Sequence, residues 1–114
     1  MNNRYHYAAK LLRLIDADTY ELDIDLGFHI HAQHRIRLAG VDCPERGTAR
    51  GWQTTVKAAQ WWSNHEGHAQ IHVIAYDRYG RIVAEIHPPQ QPGNEAPDLA
   101  AWLLGRGCKP YKGK

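Results

Sequence analysis

Three short segments of the chain combine acidic side chains with arginine. They are residues 16–19 (Asp-Ala-Asp-Thr), 37–45 (Arg-Leu-Ala-Gly-Val-Asp-Cys-Pro-Glu) and 77–81 (Asp-Arg-Tyr-Gly-Arg). Each lies at or near the end of a predicted strand, and together they supply two acidic groups, two permanently charged arginines and a further carboxylate. This combination is typical of metal-assisted attack of water on a phosphodiester.

The aspartates of the first two segments are candidate metal ligands. Asp18 and Asp42 follow separate predicted strands. Carboxylate oxygens from two segments, with a nearby backbone carbonyl, suit a hard cation such as Ca²⁺. An alternative stays open, because Asp16 and Asp18 could simply build a turn ahead of Thr19. Taken alone, this first segment favours the turn.

Arg37 and Arg81 are candidates for binding phosphate. Arg37 lies among apolar neighbours on a predicted strand, where a charge needs a partner. A guanidinium keeps its charge and offers a fork of donors that matches phosphate, so two of them could stabilise a phosphoryl transition state. The alternatives are that Arg37 pairs structurally with Asp42 or Glu45, and that Arg81 is a solvated hairpin residue.

Glu45 is the candidate that would act on water. It follows Pro44, whose ring fixes φ and stiffens the connection from Asp42. A rigid Asp-Cys-Pro-Glu link could hold a metal ligand and a second carboxylate at a fixed separation.

The residues around these segments predict a β-rich first third of the chain. Residues 11–15 form one expected strand, and a period-2 alternation of apolar and polar side chains, typical of half-buried strands, follows three times. Gly27 permits a turn or bulge between the first two alternations. We therefore expect an antiparallel meander over the first 41 residues. The apolar members of the alternations are Tyr20, Leu22, Ile24 and Leu26, then Phe28, Ile30 and Ala32, then Ile36 and Leu38.

The rest of the chain predicts two helices and a hairpin. A helix over 51–66 is expected to bury one apolar stripe. A hairpin with its turn at 77–80 follows, then a proline-rich loop at 87–97, and Asp98 is placed to cap a short helix over 99–104. The expected stripe of the first helix consists of Trp52, Val56, Ala59 and Trp62.

Length and composition limit the domain count and the classes of protein to which the chain could belong. At 114 residues the chain predicts one domain, 1–114, and no apolar run approaches the ~20 residues of a membrane span. The net charge of +2 says little about partners. Two cysteines make no disulfide framework and no signal peptide is visible, so we expect a reduced, cytoplasmic protein, with secretion left open. The eight histidines lack zinc-site spacing and are expected to be surface residues.

In order and spacing, the three segments resemble the staphylococcal nuclease (thermonuclease) family, from about Leu12 to the end of the chain. The resemblance implies a mainly β fold with some α: a five-stranded OB-type Greek-key barrel with two helices. Element order alone does not select this topology. The stretch 46–51 is shorter than in the family's best-known member, and the hairpin around Gly27 is longer.

The resemblance also implies roles for nine residues. The catalytic set would be Arg37, Glu45 and Arg81, with the glutamate orienting or deprotonating water. The calcium ligands would be Asp18, Asp42 and the backbone carbonyl of Cys43, and the substrate contacts would be Arg78 and Tyr79 at the phosphate and Tyr111 near a base.

The function implied is a calcium-dependent nuclease that hydrolyses DNA, RNA or both and leaves 3′-phosphates. Single-stranded nucleic acid is the expected substrate, since any base can stack on an aromatic face, and a monomer is expected. The alternative is a non-catalytic OB-fold module that binds single-stranded nucleic acid. Domains of that kind lose the acidic and arginine positions, whereas this chain keeps them.

Overall fold

The fold is a closed barrel flanked by two helices, seen in a computed structural model that describes residues 5–89 and 96–111. The strands in chain order are β1 (His6–Asp16), β2 (Thr19–Asp25), β3 (His31–Leu38), β4 (Val41–Asp42), β5 (His68–Tyr76), β6 (Ile82–His87) and β7 (Lys109–Pro110). The helices are α1 (Ala49–Asn64), between β4 and β5, and α2 (Leu99–Leu104), between β6 and β7.

The barrel closes in the order β1-β2-β3-β6-β5. All of its pairings are antiparallel except that of β3 with β6, which is parallel. The two-residue strands β4 and β7 pair with each other outside the barrel. The predicted meander and the five-stranded OB-type barrel with two helices are therefore confirmed.

The interior of the barrel explains the alternations of β2 and β3. Their inward side chains are almost completely buried, and the tandem tryptophans of α1 close the core. Such burial of large apolar side chains is the main stabilising contribution to a domain of this size. The largest fully buried side chains include Tyr20, Leu22, Ile36, Leu38, Trp61, Trp62, Ile71 and Ile86.

The β2–β3 hairpin corrects one sequence prediction. Phe28 and Ile30 were expected to continue the inward alternation, but the strand stops at Asp25 and both side chains lie in the exposed hairpin turn. Gly27 and Phe28 have positive φ, which reverses the chain and breaks the period-2 pattern. Phe28 is 95% exposed.

Helix α1 also differs from its prediction. It exists, with Thr48 as N-cap, but Trp52 and Val56 are exposed, and Trp62 alone of the expected stripe is buried. The buried face uses small residues that let the helix approach its neighbours closely. The hydroxyls of Thr54 and Thr55 are satisfied by hydrogen bonds to helix carbonyls. The buried residues are Gly51, Thr54, Thr55, Ala58, Trp61 and Trp62.

The second helix was predicted correctly, since α2 spans Leu99–Leu104 and the Asp98 side chain accepts a hydrogen bond from the Ala101 amide. Part of the proline-rich loop, residues 90–95, lies outside the described residues. Within the described part of the chain, no helix is long and apolar enough to cross a membrane.

The expectation of two reduced cysteines is wrong, because Cys43 and Cys108 form a disulfide. The pairing of β4 with β7 brings the Cα atoms of the two cysteines to 4.4 Å from each other, although the cysteines are 65 residues apart in sequence. Such a partnership depends on the tertiary fold, and the spacing of two cysteines does not reveal it.

Candidate active site

Six of the nine predicted site residues face one cleft. Its volume is about 660 Å³, and three arginines and two aspartates line it together with three tyrosines. Of the predicted residues, Asp18, Cys43 and Glu45 are not among those lining it. The lining residues are Arg37, Asp42, Tyr76, Asp77, Arg78, Tyr79, Arg81 and Tyr111.

The parallel pairing of β3 with β6 brings together the two segments that carry the candidate arginines. Arg37 is paired with Val83, and Arg81 directly precedes β6 at the end of the β5–β6 turn. Arg37 therefore lies within a barrel strand, and Arg81 lies directly before the neighbouring one. This agrees with the two arginines lining one cleft.

Arg37 is held by neighbours on all sides. Its Nη1 donates to the Leu38 carbonyl at 2.6 Å, and its Nη2 lies 3.6 Å from Asp18 Oδ2 and 3.9 Å from Asp42 Oδ1. The Tyr111 ring centroid lies 5.7 Å from its guanidinium carbon. The structural alternative of an Arg37–Asp42 pair is therefore present, and the same two carboxylates hold the guanidinium at the edge of the cleft.

Asp18 is a buried carboxylate with ordered partners. The Cys43 amide donates to its Oδ2 at 3.0 Å, and the Thr19 hydroxyl donates to its Oδ1 at 3.3 Å. The nearby Tyr20 hydroxyl donates to the Ala17 carbonyl. Burial, and next the negative charge of Asp18, raise the pKa of Tyr20 well above its ordinary value.

The carboxylates of Asp18 and Asp42 fit a hard cation by donor chemistry. Both approach the same nitrogen of Arg37, so they lie near each other, and Asp42 is half exposed. Among the described residues, however, no group of three or more His, Cys, Asp or Glu side chains is arranged to hold a metal. A cation here would need further oxygen donors from backbone carbonyls and water, which Ca²⁺ accepts readily.

Asp77 is a site residue that the sequence analysis missed. Its Oδ2 accepts from Arg81 Nε at 2.6 Å, and its Oδ1 accepts from the amides of Tyr79 and Arg81 at 2.8 and 2.9 Å. Burial raises the pKa of Asp77, but these hydrogen bonds and the Arg81 charge outweigh it, so the pKa is below its ordinary value. The signal was available, because aspartate three residues before glycine is typical of a turn.

The hairpin turn that Asp77 caps also orders the neighbouring aromatic side chain. Tyr79 is 75% exposed, and its ring centroid lies 5.6 Å from the Arg81 guanidinium carbon. Asp77 uses one of the five N–H donors of Arg81, which leaves the terminal nitrogens as donors toward the cleft. Arg81 is therefore ion-paired with Asp77 and not only solvated.

The backbone at Glu45 is fixed against the start of α1. Its carbonyl accepts from the Thr48 amide at 3.1 Å and from the Thr48 hydroxyl at 2.8 Å. Gly51 allows this approach, because a Cβ there would lie 1.5 Å from the Glu45 carbonyl oxygen. The Glu45 residue itself is exposed.

The fold and the cleft together define a class: an OB-type barrel with a cleft lined by three arginines and two aspartates. No protein-family model matches the chain. The chain is 29% identical over 90 residues to a protein named micrococcal nuclease from Shigella flexneri, an alignment that covers 78% of this chain and 48% of that protein. The chain thus spans about half the length of this relative. The similarity supports a distant relationship to nucleases.

Proposed function

We propose that this protein is a nuclease that hydrolyses phosphodiester bonds of DNA, RNA or both, with Ca²⁺ as its metal. One observation carries the proposal: Arg37 in β3 and Arg81 directly before β6 line a single cleft together with Asp42. The name of the distant relative agrees with it. Because the chain spans about half of that relative, the activity and the substrate are proposed for this chain on its own residues.

The two arginines would clamp the reacting phosphate. Asp18 and Asp42 hold Arg37, and Asp77 holds Arg81, so both guanidinium groups are fixed before a substrate arrives. Fixed donors stabilise the charge that develops on phosphoryl oxygens without reorganising during the reaction. Removing one clamp should therefore cost roughly 10²-fold or more in rate.

The carboxylates of Asp18 and Asp42, with the backbone carbonyl of Cys43, would hold the cation. When bound, Ca²⁺ supplies Lewis-acid polarisation of a phosphoryl oxygen. The Cys43 amide donates to the Asp18 carboxylate, and Arg37 lies beside both aspartates. These contacts orient the carboxylate oxygens that would bind the cation.

Glu45 would orient the attacking water and accept its proton. The tie between its carbonyl and Thr48 fixes its backbone, while its exposed position leaves the carboxylate accessible to water. Attack at phosphorus would break the bond to the 5′ oxygen and leave a 3′-phosphate, as the family resemblance implies.

The tyrosines of the cleft favour a single-stranded substrate. Tyr76 and Tyr79 are largely exposed and line the cleft with Arg78, and Tyr111 lines it with its ring next to Arg37. Every nucleobase can stack on such rings, which gives binding without sequence preference. We propose that the protein acts as a monomer, since one chain supplies the whole cleft.

The test is cleavage of labelled single-stranded DNA and RNA in Ca²⁺ and in EDTA. Arg81→Ala should abolish turnover. Arg106→Ala is the matched control, because Arg106 contacts Trp102 and does not line the cleft. Cleavage that requires Ca²⁺ and is lost only in Arg81→Ala would support the proposal. Binding without cleavage in Ca²⁺, Mg²⁺ or Mn²⁺ would refute it and identify a non-catalytic OB-fold module.

A further inference from the structure

Residues 109–111 reach the cleft through a short strand pairing. Asp42 is opposite Lys109 and Val41 is opposite Pro110 in the β4–β7 ladder. The Tyr111 amide extends this ladder by donating to the Gly40 carbonyl at 3.0 Å. Pro110 has no N–H to donate, so the ladder is weak as well as short.

The Cys43–Cys108 disulfide ends this ladder with a covalent bond. Cys43 directly follows Asp42, and Cys108 directly precedes Lys109. Cys108 is 7% exposed, and its amide donates to the Leu103 carbonyl at the end of α2. The disulfide therefore joins β4 to the point at which the chain leaves the second helix.

The tethered segment contributes directly to the cleft. Tyr111 lines it with its ring next to Arg37, and Lys109 Nζ lies 4.0 Å from Asp42 Oδ2. Both side chains thus contact a group to which we have assigned phosphate or cation binding. If residues 109–111 moved away, the cleft would lose Tyr111, and Asp42 would lose its Lys109 neighbour.

The other end of the disulfide also touches the site. The Cys43 amide orients the Asp18 carboxylate. One covalent bond therefore links the residue that fixes Asp18 to the segment that carries Tyr111, although 65 residues separate the two cysteines.

We propose that Cys108 is a positioning residue, which through its disulfide to Cys43 holds residues 109–111 against the cleft, so that the oxidised chain binds single-stranded nucleic acid more tightly than the reduced chain. The inference rests on the proposed function for its substrate. In reduction, dithiothreitol supplies two electrons and two protons: the S–S bond is replaced by two thiols, and the reductant becomes a cyclic disulfide.

The first test does not depend on nuclease activity. Hydrogen–deuterium exchange followed by mass spectrometry reports protection of the Tyr111 amide, which donates to Gly40 in the folded chain. Protection of residues 109–111 should fall more in Cys108→Ser and in the reduced parent than protection of the barrel strands does. Equal protection of residues 109–111 in the oxidised and reduced chains would overturn the inference, and so would an equal loss of protection in the barrel strands, since the disulfide would then act only on the whole fold.

The second test separates binding from chemistry. We expect Cys108→Ser, and the parent in dithiothreitol, to raise KM for a labelled single-stranded oligonucleotide about tenfold, with kcat changed less than about twofold, because one stacking contact is lost. Dithiothreitol should not affect Cys108→Ser, and reoxidation should restore the parent. An unchanged KM would overturn the inference. No cleavage by any chain would instead refute the proposed function, and the exchange measurement would still decide the role of Cys108.

Discussion

Replacing Asp77 with asparagine separates the support of Arg81 from the support of the hairpin turn. The Asp77 side chain is about nine-tenths buried, with one oxygen on the Arg81 side chain and the other on two backbone amides. Asparagine is nearly the same size and can keep its carbonyl oxygen on the two amides. Its NH₂ group would then face Arg81 Nε, where two donors meet and no hydrogen bond forms.

The size of the effect follows from the bond that is lost. A hydrogen bond between charged partners is worth about 1.5–3 kcal/mol. If that energy fixes the Arg81 guanidinium for the transition state, its loss corresponds to roughly a 10- to 100-fold lower kcat/KM. The pKa of Asp77 in the folded chain is below its ordinary value. The Asp77–Arg81 interaction is therefore complete at any pH above the ordinary pKa, and it is lost only as the pH falls through the lower pKa of the folded state. The penalty should therefore be constant between about pH 5 and pH 8.

The measurement is the initial rate on a fluorescent single-stranded oligonucleotide in Ca²⁺, for the parent, Asp77→Asn and Arg81→Ala. Asp98→Asn is the matched control, because Asp98 caps α2 outside the cleft lining and asparagine is an equally good N-cap. Parental kcat/KM in Asp77→Asn, with Arg81→Ala inactive, would show that Arg81 needs no tether. A penalty that appeared only in acid would contradict the assigned charge state.

Three further predictions concern stability. Gly51→Ala should lower the free energy of unfolding, measured by thermal unfolding, by about 1–3 kcal/mol, because its Cβ would overlap the Glu45 carbonyl oxygen. Gly47→Ala is the control, because a Cβ there meets no atom within 4 Å. Equal losses of stability in the two variants would contradict the reasoning. Reducing the disulfide, whose cysteines are 65 residues apart, should lower the free energy of unfolding in urea by about 4 kcal/mol and leave the chain folded without urea. Equal urea midpoints for the oxidised and reduced chains would argue against this. Burial raises the pKa of Glu85, but the hydrogen bonds and charges of His87 and His72 outweigh burial and lower it. Glu85→Gln should therefore be less stable than the parent near about pH 6 and equally stable below about pH 3. A stability difference that did not change with pH would exclude this ionic contribution.

Strand patterns and helix caps were predictable because their signals are local. The alternation of β2 and β3 follows from which side chains enter the barrel, and the Asp98 cap depends on a residue adjacent to its helix. The two arginines and Asp42 could be proposed as one cleft from residue type and the family resemblance. The structure places all three there.

The buried face of α1 was not predictable from hydrophobicity. Its buried face contains Gly51, Thr54 and Thr55, whose side chains are absent or polar. The strongly apolar Trp52 and Val56, which hydrophobicity places in the core, are exposed. Close approach of the backbone, and hydroxyls satisfied within the helix, decided the face. Neither property appears in a count of apolar spacing.

The contacts that hold the site residues in place were not predictable, for a different reason. Asp77 was visible as a turn residue, yet its bond to Arg81 Nε depends on how the β5–β6 hairpin closes. The Cys43–Cys108 pair depends on β7 pairing with β4, although more than half of the chain lies between them. Contacts between distant segments require topology, which local patterns do not encode.

The parallel pairing of β3 with β6 also determines when the cleft can form during folding. The antiparallel hairpins β2–β3 and β5–β6 are local, so we expect them to form early; the pairing of β3 with β6 joins segments separated by α1 and β5, so we expect it to form later. Arg37 and Arg81 belong to different hairpins, so they come together only in that closing step. Affinity for phosphate would therefore return last in a refolding chain and would report completion of the barrel, rather than the earlier gain of secondary structure.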